Sequence, residues 1–146
     1  FELMTDRLTG ESLSFENIII LLADYTFYDA TLFDIELLYL DRYPALLFRD
    51  GKMQEIYWST ANEAYEASTG FIRPVRFRDK DGQPVPLKHG QTWVEIIPRN
   101  SPYYEVEASL DYDKLSINPD PGSANWLVYF QQPPFPKYVE EQDSDE

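Results

Sequence analysis

Two Asp-Gly pairs, each set between apolar runs, constrain this chain more than any other feature. In PALLFRDGKMQEIYW, Asp50-Gly51 stands where a two-residue type I′ turn needs two positive φ angles, so antiparallel strands are predicted over 45–49 and 52–58. In RPVRFRDKDGQPVPL, Asp81-Gly82 lies between 75–77 and 85–87. Here Pro84 and Pro86 remove backbone donors and confine the second arm to an edge or a short strand.

The other segments fill in around these hairpins. NIIILLADY carries an unbroken β-branched run, the pattern of a strand buried on both faces, and is predicted to be central. Over 26–42, Phe33, Ile35, Leu37 and Tyr39 alternate with Leu32, Asp34, Glu36, Leu38 and Leu40, a period of two that favours strand over helix. STANEAYEAS is the single helix expected, with Ser59 or Thr60 as N-cap and Gly70 as its stop. GQTWVEIIP is a strand with Trp93, Glu95 and Ile97 on one face and Thr92, Val94 and Ile96 on the other, and SANWLVYFQQ (123–132) adds one more. The expected fold is therefore α+β and β-rich, an antiparallel sheet built from hairpins with one short helix. Its predicted divisions are a polar lead-in over 1–16, a single β-rich domain over 17–132 and an acidic flexible tail over 133–146.

With 146 residues, of which 43% are hydrophobic and 16% aromatic, the chain can bury a core without staples. Its formal charge of −14 repels a phosphate backbone, which argues against nucleic acid, and disfavours anionic surfaces for the same reason. From residue 99 onward ten acidic residues face Arg99, Lys114 and Lys137, so −7 of that charge lies in the final third. The lack of cysteine excludes disulfides, thiolate nucleophiles and zinc–thiolate sites. No apolar run has bilayer-spanning length; the longest, IIILLA, is of strand length. The chain opens at Phe1 with no basic and apolar leader, which reads as a piece of a longer protein.

Residues able to carry chemistry are few. His89, the only histidine, sits in a KHGQ turn with no nucleophile motif beside it, so a hairpin turn is the better reading. DKDG opens like a calcium loop yet lacks the sixth-position glycine and the closing glutamate. Asp24, Asp29 and Asp34 have the residue type that paired-carboxylate hydrolysis uses, but acidic residues are abundant and solvated loop carboxylates account for them. No catalytic residue, metal site or cofactor follows from the residues. Four side chains are candidates for ligand binding: Trp58, Arg76, Arg78 and Trp93. The favoured reading of the tryptophans is that Trp58 and Trp93 pack together as core corners; the alternative is a binding platform, because Trp93 shares a strand face with Glu95, which suits an indole stacked on a sugar or a partner chain. Arg76 and Arg78 are alternate strand residues, placed to hold a carboxylate.

The linked order of FRDGK, Trp58 and RPVRFRDKDGQPVPLKHGQTWVEIIP resembles the C-terminal part of the YerB-like bacterial lipoproteins, a family of unknown function. The matching positions run from Asn17 to Pro98 and include Phe48, Gly51, Lys52, Trp58, Pro74, Phe77, Asp79, Gly82, Leu87, Gly90, Thr92 and Trp93. Tyr25 to Tyr43 departs from the family's Gly-rich linker, and the acidic tail lies outside the match. The resemblance implies an extracytoplasmic module of the cell envelope, tied to the membrane only through an N-terminal anchor, with an upstream N-terminal domain as first partner; the aromatic and arginine side chains of the sheet add cell-wall glycan or peptide as further candidates. The resemblance carries over no catalytic residue, and the function expected is that of a non-catalytic binding or interdomain-packing module. The alternative is part of a hydrolase whose catalytic groups lie mainly in an N-terminal domain, with Asp24 or Asp29 contributing.

Overall fold

A computed structural model of the chain describes residues 4–71, 73–107 and 120–134. Its main sheet is built on β1 (Asn17–Phe27), whose first half is buried on both faces as the apolar run requires. Beside it lie β3 (Tyr43–Arg49) and then β4 (Lys52–Ser59), an antiparallel hairpin, followed by β5 (Arg76–Arg78) at the edge. The β3–β4 turn adopts the expected geometry, with φ of 53° at Asp50 and 67° at Gly51. β2 (Phe33–Glu36) folds back on Asp24–Phe27 of β1. The short helix α1 (Glu63–Thr69) links β4 to β5. β6 (Thr92–Pro98) lies against β1, and β7 (Tyr103–Glu105) pairs with β8 (Trp126–Val128) in a separate two-stranded sheet.

Four local features differ from the sequence expectation, each for an identifiable reason. β6 pairs with β1 in parallel, an addition to the antiparallel plan. No local signal announces this, because parallel partners meet only after a long connection. The alternating segment over 32–40 is strand only as far as Glu36. Beyond it, the Leu37 carbonyl accepts from the Thr60 hydroxyl and the Leu40 carbonyl from Ser59 Oγ and Thr60 N, so side chains at the end of β4 take the place of a ladder. With Thr60 so engaged, the helix is capped instead by Asn62, whose Oδ1 accepts from Tyr65 N at 2.8 Å. The second Asp-Gly loop is not a type I′ turn: only Gly82 is at positive φ, and Asp79 organises it by accepting from the backbone of Asp81 and Gln83. Its second arm shrinks to a single bridge at Pro84, as its prolines dictate.

Apolar side chains cover both faces of the sheet. On one face Ile19, Leu21 and Ala23 meet Ala45, Leu47, Ile56 and Trp58, with Leu40 closing from above. On the other, Ile20, Leu22, Leu46 and Ile97 pack with Tyr103 and Val128 of the small sheet. The β8 strand within 123–132 is thus present and lies over the main sheet. Most of the expected acidic tail, residues 135–146, lies outside the described residues.

Candidate functional site

Strand register decides where the four candidate residues go. Ile18 pairs with both Trp93 and Phe48, and Phe48 with Met53, so Trp93, Glu95, Met53, Glu55 and Tyr57 share one face of the sheet. Trp58 therefore lies on the opposite face. It is 0% exposed, its indole N–H donates to the Leu22 carbonyl at 3.4 Å, and Tyr43 meets it edge-on at 5.7 Å. Trp58 is a core residue, and it does not pack with Trp93.

Arg76 and Arg78 stand opposite Ser59 and Tyr57 on β4. They share the Trp93 face, but β4, β3 and β1 intervene, a span of about 19 Å at the usual strand spacing. Each holds a backbone carbonyl: Arg76 Nη2 donates to Ala61 O at 3.0 Å, and Arg78 Nη1 donates to Gly82 O. Burial first, then the neighbouring Arg73 and Arg78, pulls Arg76 below the usual arginine range. Arg78, Arg42, Tyr57 and Ser59 line a small pocket of about 210 Å³. Asp41 and Asp79 line it too, so its charges balance, and the Arg42 guanidinium lies over the Tyr57 ring at 4.7 Å.

Trp93 has a different setting. It is 39% exposed, its indole N–H donates to Glu95 Oε2 at 3.3 Å, and Phe15 lies 5.3 Å away. These two rings wall an apolar cleft of about 560 Å³ floored by Ile18, Ile20 and Ile97. Val128 and Phe130 form the far wall, and Met4 and Leu13 of the N-terminal hairpin close one end. Among the described residues, Glu95 is the only charged side chain lining it. A volume and lining of this kind suit a largely apolar ligand or an inserted side chain held by one polar anchor. The sequence pointed to Trp93 but not to Phe15, Val128 or Phe130, which reach the cleft only through tertiary packing.

The carboxylates are dispersed. Asp24 accepts from Tyr43 OH and Arg99 Nη2, Asp34 accepts from Tyr28 OH, and Asp29 organises the β1–β2 turn. The backbone N–H of Thr31, then that of Leu32, holds the Asp29 carboxyl below the usual range. His89 is exposed in the loop before β6. Among the described residues no three His, Cys, Asp or Glu side chains gather as a metal site.

The model of a family described as a protein of unknown function (DUF3048), C-terminal domain, matches residues 2–94. Among solved structures, the crystal structure of the YerB protein from Bacillus subtilis is similar at 30% identity and a TM-score of 0.49, over 64% of this chain and 28% of that one. The chain thus spans little more than a quarter of that protein's length. No curated protein matches it. With close to two thirds of its length covered by the family model, the chain belongs to the DUF3048 C-terminal domain family.

Proposed function

We propose that this domain is a non-catalytic docking module of a bacterial cell-envelope lipoprotein, working outside the cytoplasm, and that the Trp93 cleft is its contact surface. The observation that carries this is the cleft itself: the rings of Phe15, Trp93 and Phe130 and a floor of isoleucines left open beside the Glu95 carboxylate. Exposed apolar surface of this kind costs solubility, and proteins keep it where a partner covers it. An indole with its N–H already tied to Glu95 presents a rigid, half-wet face, the arrangement that favours tryptophan at contact sites. The envelope setting rests on the family resemblance. Its occupants of first choice are an upstream N-terminal domain of the same protein and, in the wall, glycan or peptide.

Pull-down with purified cell-wall glycan and with a separately produced upstream domain tests the proposal, comparing the natural protein with Trp93→Ala. Trp93 is partly exposed, so the variant is expected to fold, which circular dichroism checks. The expected result is saturable capture by one of the two baits, lost in the variant. Capture by neither, or capture unchanged in a folded Trp93→Ala protein, contradicts it.

A further inference from the structure

The open side of β6 carries a second, more specific message. In a parallel ladder alternate residues turn their N–H and C=O toward one neighbour. Gln91 O accepts from Asn17 N, and Arg99 N donates to Ala23 O, so the odd-numbered residues of this stretch address β1. Thr92, Val94 and Ile96 consequently turn their backbone groups away from it. The Ile96 carbonyl is taken by the Tyr25 hydroxyl at 2.8 Å. Thr92 and Val94 keep both groups, and Ile96 its N–H, without a protein partner among the described residues.

Sheet edges are ordinarily blunted by shortness, by proline or by lysine. β5 fits that rule, being three residues long and bridged at Pro84. β6 does not: it runs seven residues, and its single proline comes last, at Pro98. Its side chains near the open edge are apolar on both faces, Trp93 on one and Val94, 48% exposed, on the other. Two carboxylates stand beside it, Glu95 on the Trp93 face and Glu16, which accepts from Gln91 N, whereas the cations near its ends, Lys88 and Arg99, are paired with Asp50 and Asp24.

We propose that β6 accepts an extended cationic peptide segment of another protein as an added strand, its backbone bonding Thr92, Val94 and Ile96. This rests on the docking reading above and names its occupant. Main-chain bonds supply the affinity, apolar side chains cover Trp93 and Val94, and a basic side chain answers Glu95. A second copy of the chain is a poor occupant: each carries −14, and edge-to-edge pairing would bring two sets of Glu95 and Glu16 together.

Calorimetric titration of the 146-residue protein with the capped heptapeptide Val-Val-Lys-Lys-Val-Val-Lys, whose paired residues put both valine and lysine on each face of a strand, tests this. The expected result is saturable one-to-one binding, weakened about tenfold or more by Val94→Pro, which deletes an outward donor while sparing the β1 ladder. The same peptide N-methylated at alternate backbone nitrogens keeps its charge and side chains and should bind as weakly, an arm that stays decisive if Val94→Pro misfolds. Equal binding of the methylated peptide overturns strand addition, since only charge and apolar contact would remain. No binding of the parent peptide also overturns it; the docking reading then survives if Trp93→Ala still abolishes capture of the upstream domain or of glycan. A dimer seen by sedimentation and lost in Val94→Pro overturns it in favour of a second copy.

Discussion

Asn17 has no solvent contact, yet every polar atom of its side chain is used: Nδ2 donates to Lys88 O and Thr92 Oγ1, and Oδ1 accepts from Lys88 N. One amide thus pins the loop before β6 to the start of β1 and sets the register that aims Trp93 into the cleft. Asn17→Ala leaves both Lys88 backbone groups without a partner, and denaturant unfolding is expected to show a loss of about 2–3 kcal/mol. Tyr103 makes a second testable tie, donating to Glu55 Oε1 at 2.8 Å. Burial first, then the Glu55 hydrogen bond, pushes its hydroxyl up to about 12 from 10. The native state therefore keeps this proton longer than the unfolded chain does. The corresponding stability is whole below pH 10 and is lost as pH rises from there toward 12. Unfolding midpoints recorded between pH 9 and 12 should fall more steeply for the natural protein than for Tyr103→Phe. Tyr25, also raised by burial and by Glu95, supplies part of the decline that remains.

Among the elements, those read most easily from sequence were the ones governed by local chemistry. Asp50-Gly51 specified the β3–β4 hairpin, the isoleucine run specified the central strand, and alternation gave the two faces of β6 correctly. Gly51→Ala puts a side chain at φ +67° and its Cβ 3.2 Å from that of Ala124, so a cost of about 1–2 kcal/mol is expected in thermal or denaturant unfolding. Less legible were features decided by partners distant in the chain. Nothing in TFYDATLFDIELLYLDR shows that Ser59 and Thr60 will capture the carbonyls of Leu37 and Leu40 and end β2 early. Likewise, nothing in TWVEIIP shows that its ladder is parallel or that its outer edge stays open. Alternation set Trp93 beside Glu95 but left open whether it packs with Trp58; register placed Trp58 in the core and Trp93 at a cleft. Trp58→Ala should accordingly cost about 3–5 kcal/mol, the range for emptying a large buried aromatic. Trp93→Ala should cost far less stability, and comparing the two variants by denaturant titration checks that division.

At the scale of the molecule, the cleft joins two parts of different standing. Ile18, Ile20 and the Phe15–Trp93 wall fall within residues 2–94, the part shared with the family, whereas Ile97 of the floor and Val128 and Phe130 of the far wall come from beyond it. Composition argued against nucleic acid, and the lack of cysteine excluded thiol chemistry, but neither could assemble a site from segments more than a hundred residues apart. Replacing Val128 and Phe130 by serine should leave the β1–β6 ladder intact while opening the cleft, and weaken capture without unfolding the sheet. The central claim, that a partner covers Trp93, is tested most directly by acrylamide quenching of its fluorescence. Trp93→Phe identifies its signal against buried Trp58 and half-buried Trp126. Quenching of Trp93 that is strong in the isolated domain and falls severalfold when the upstream domain or wall glycan is added is the predicted result; quenching unchanged by either partner would contradict the account.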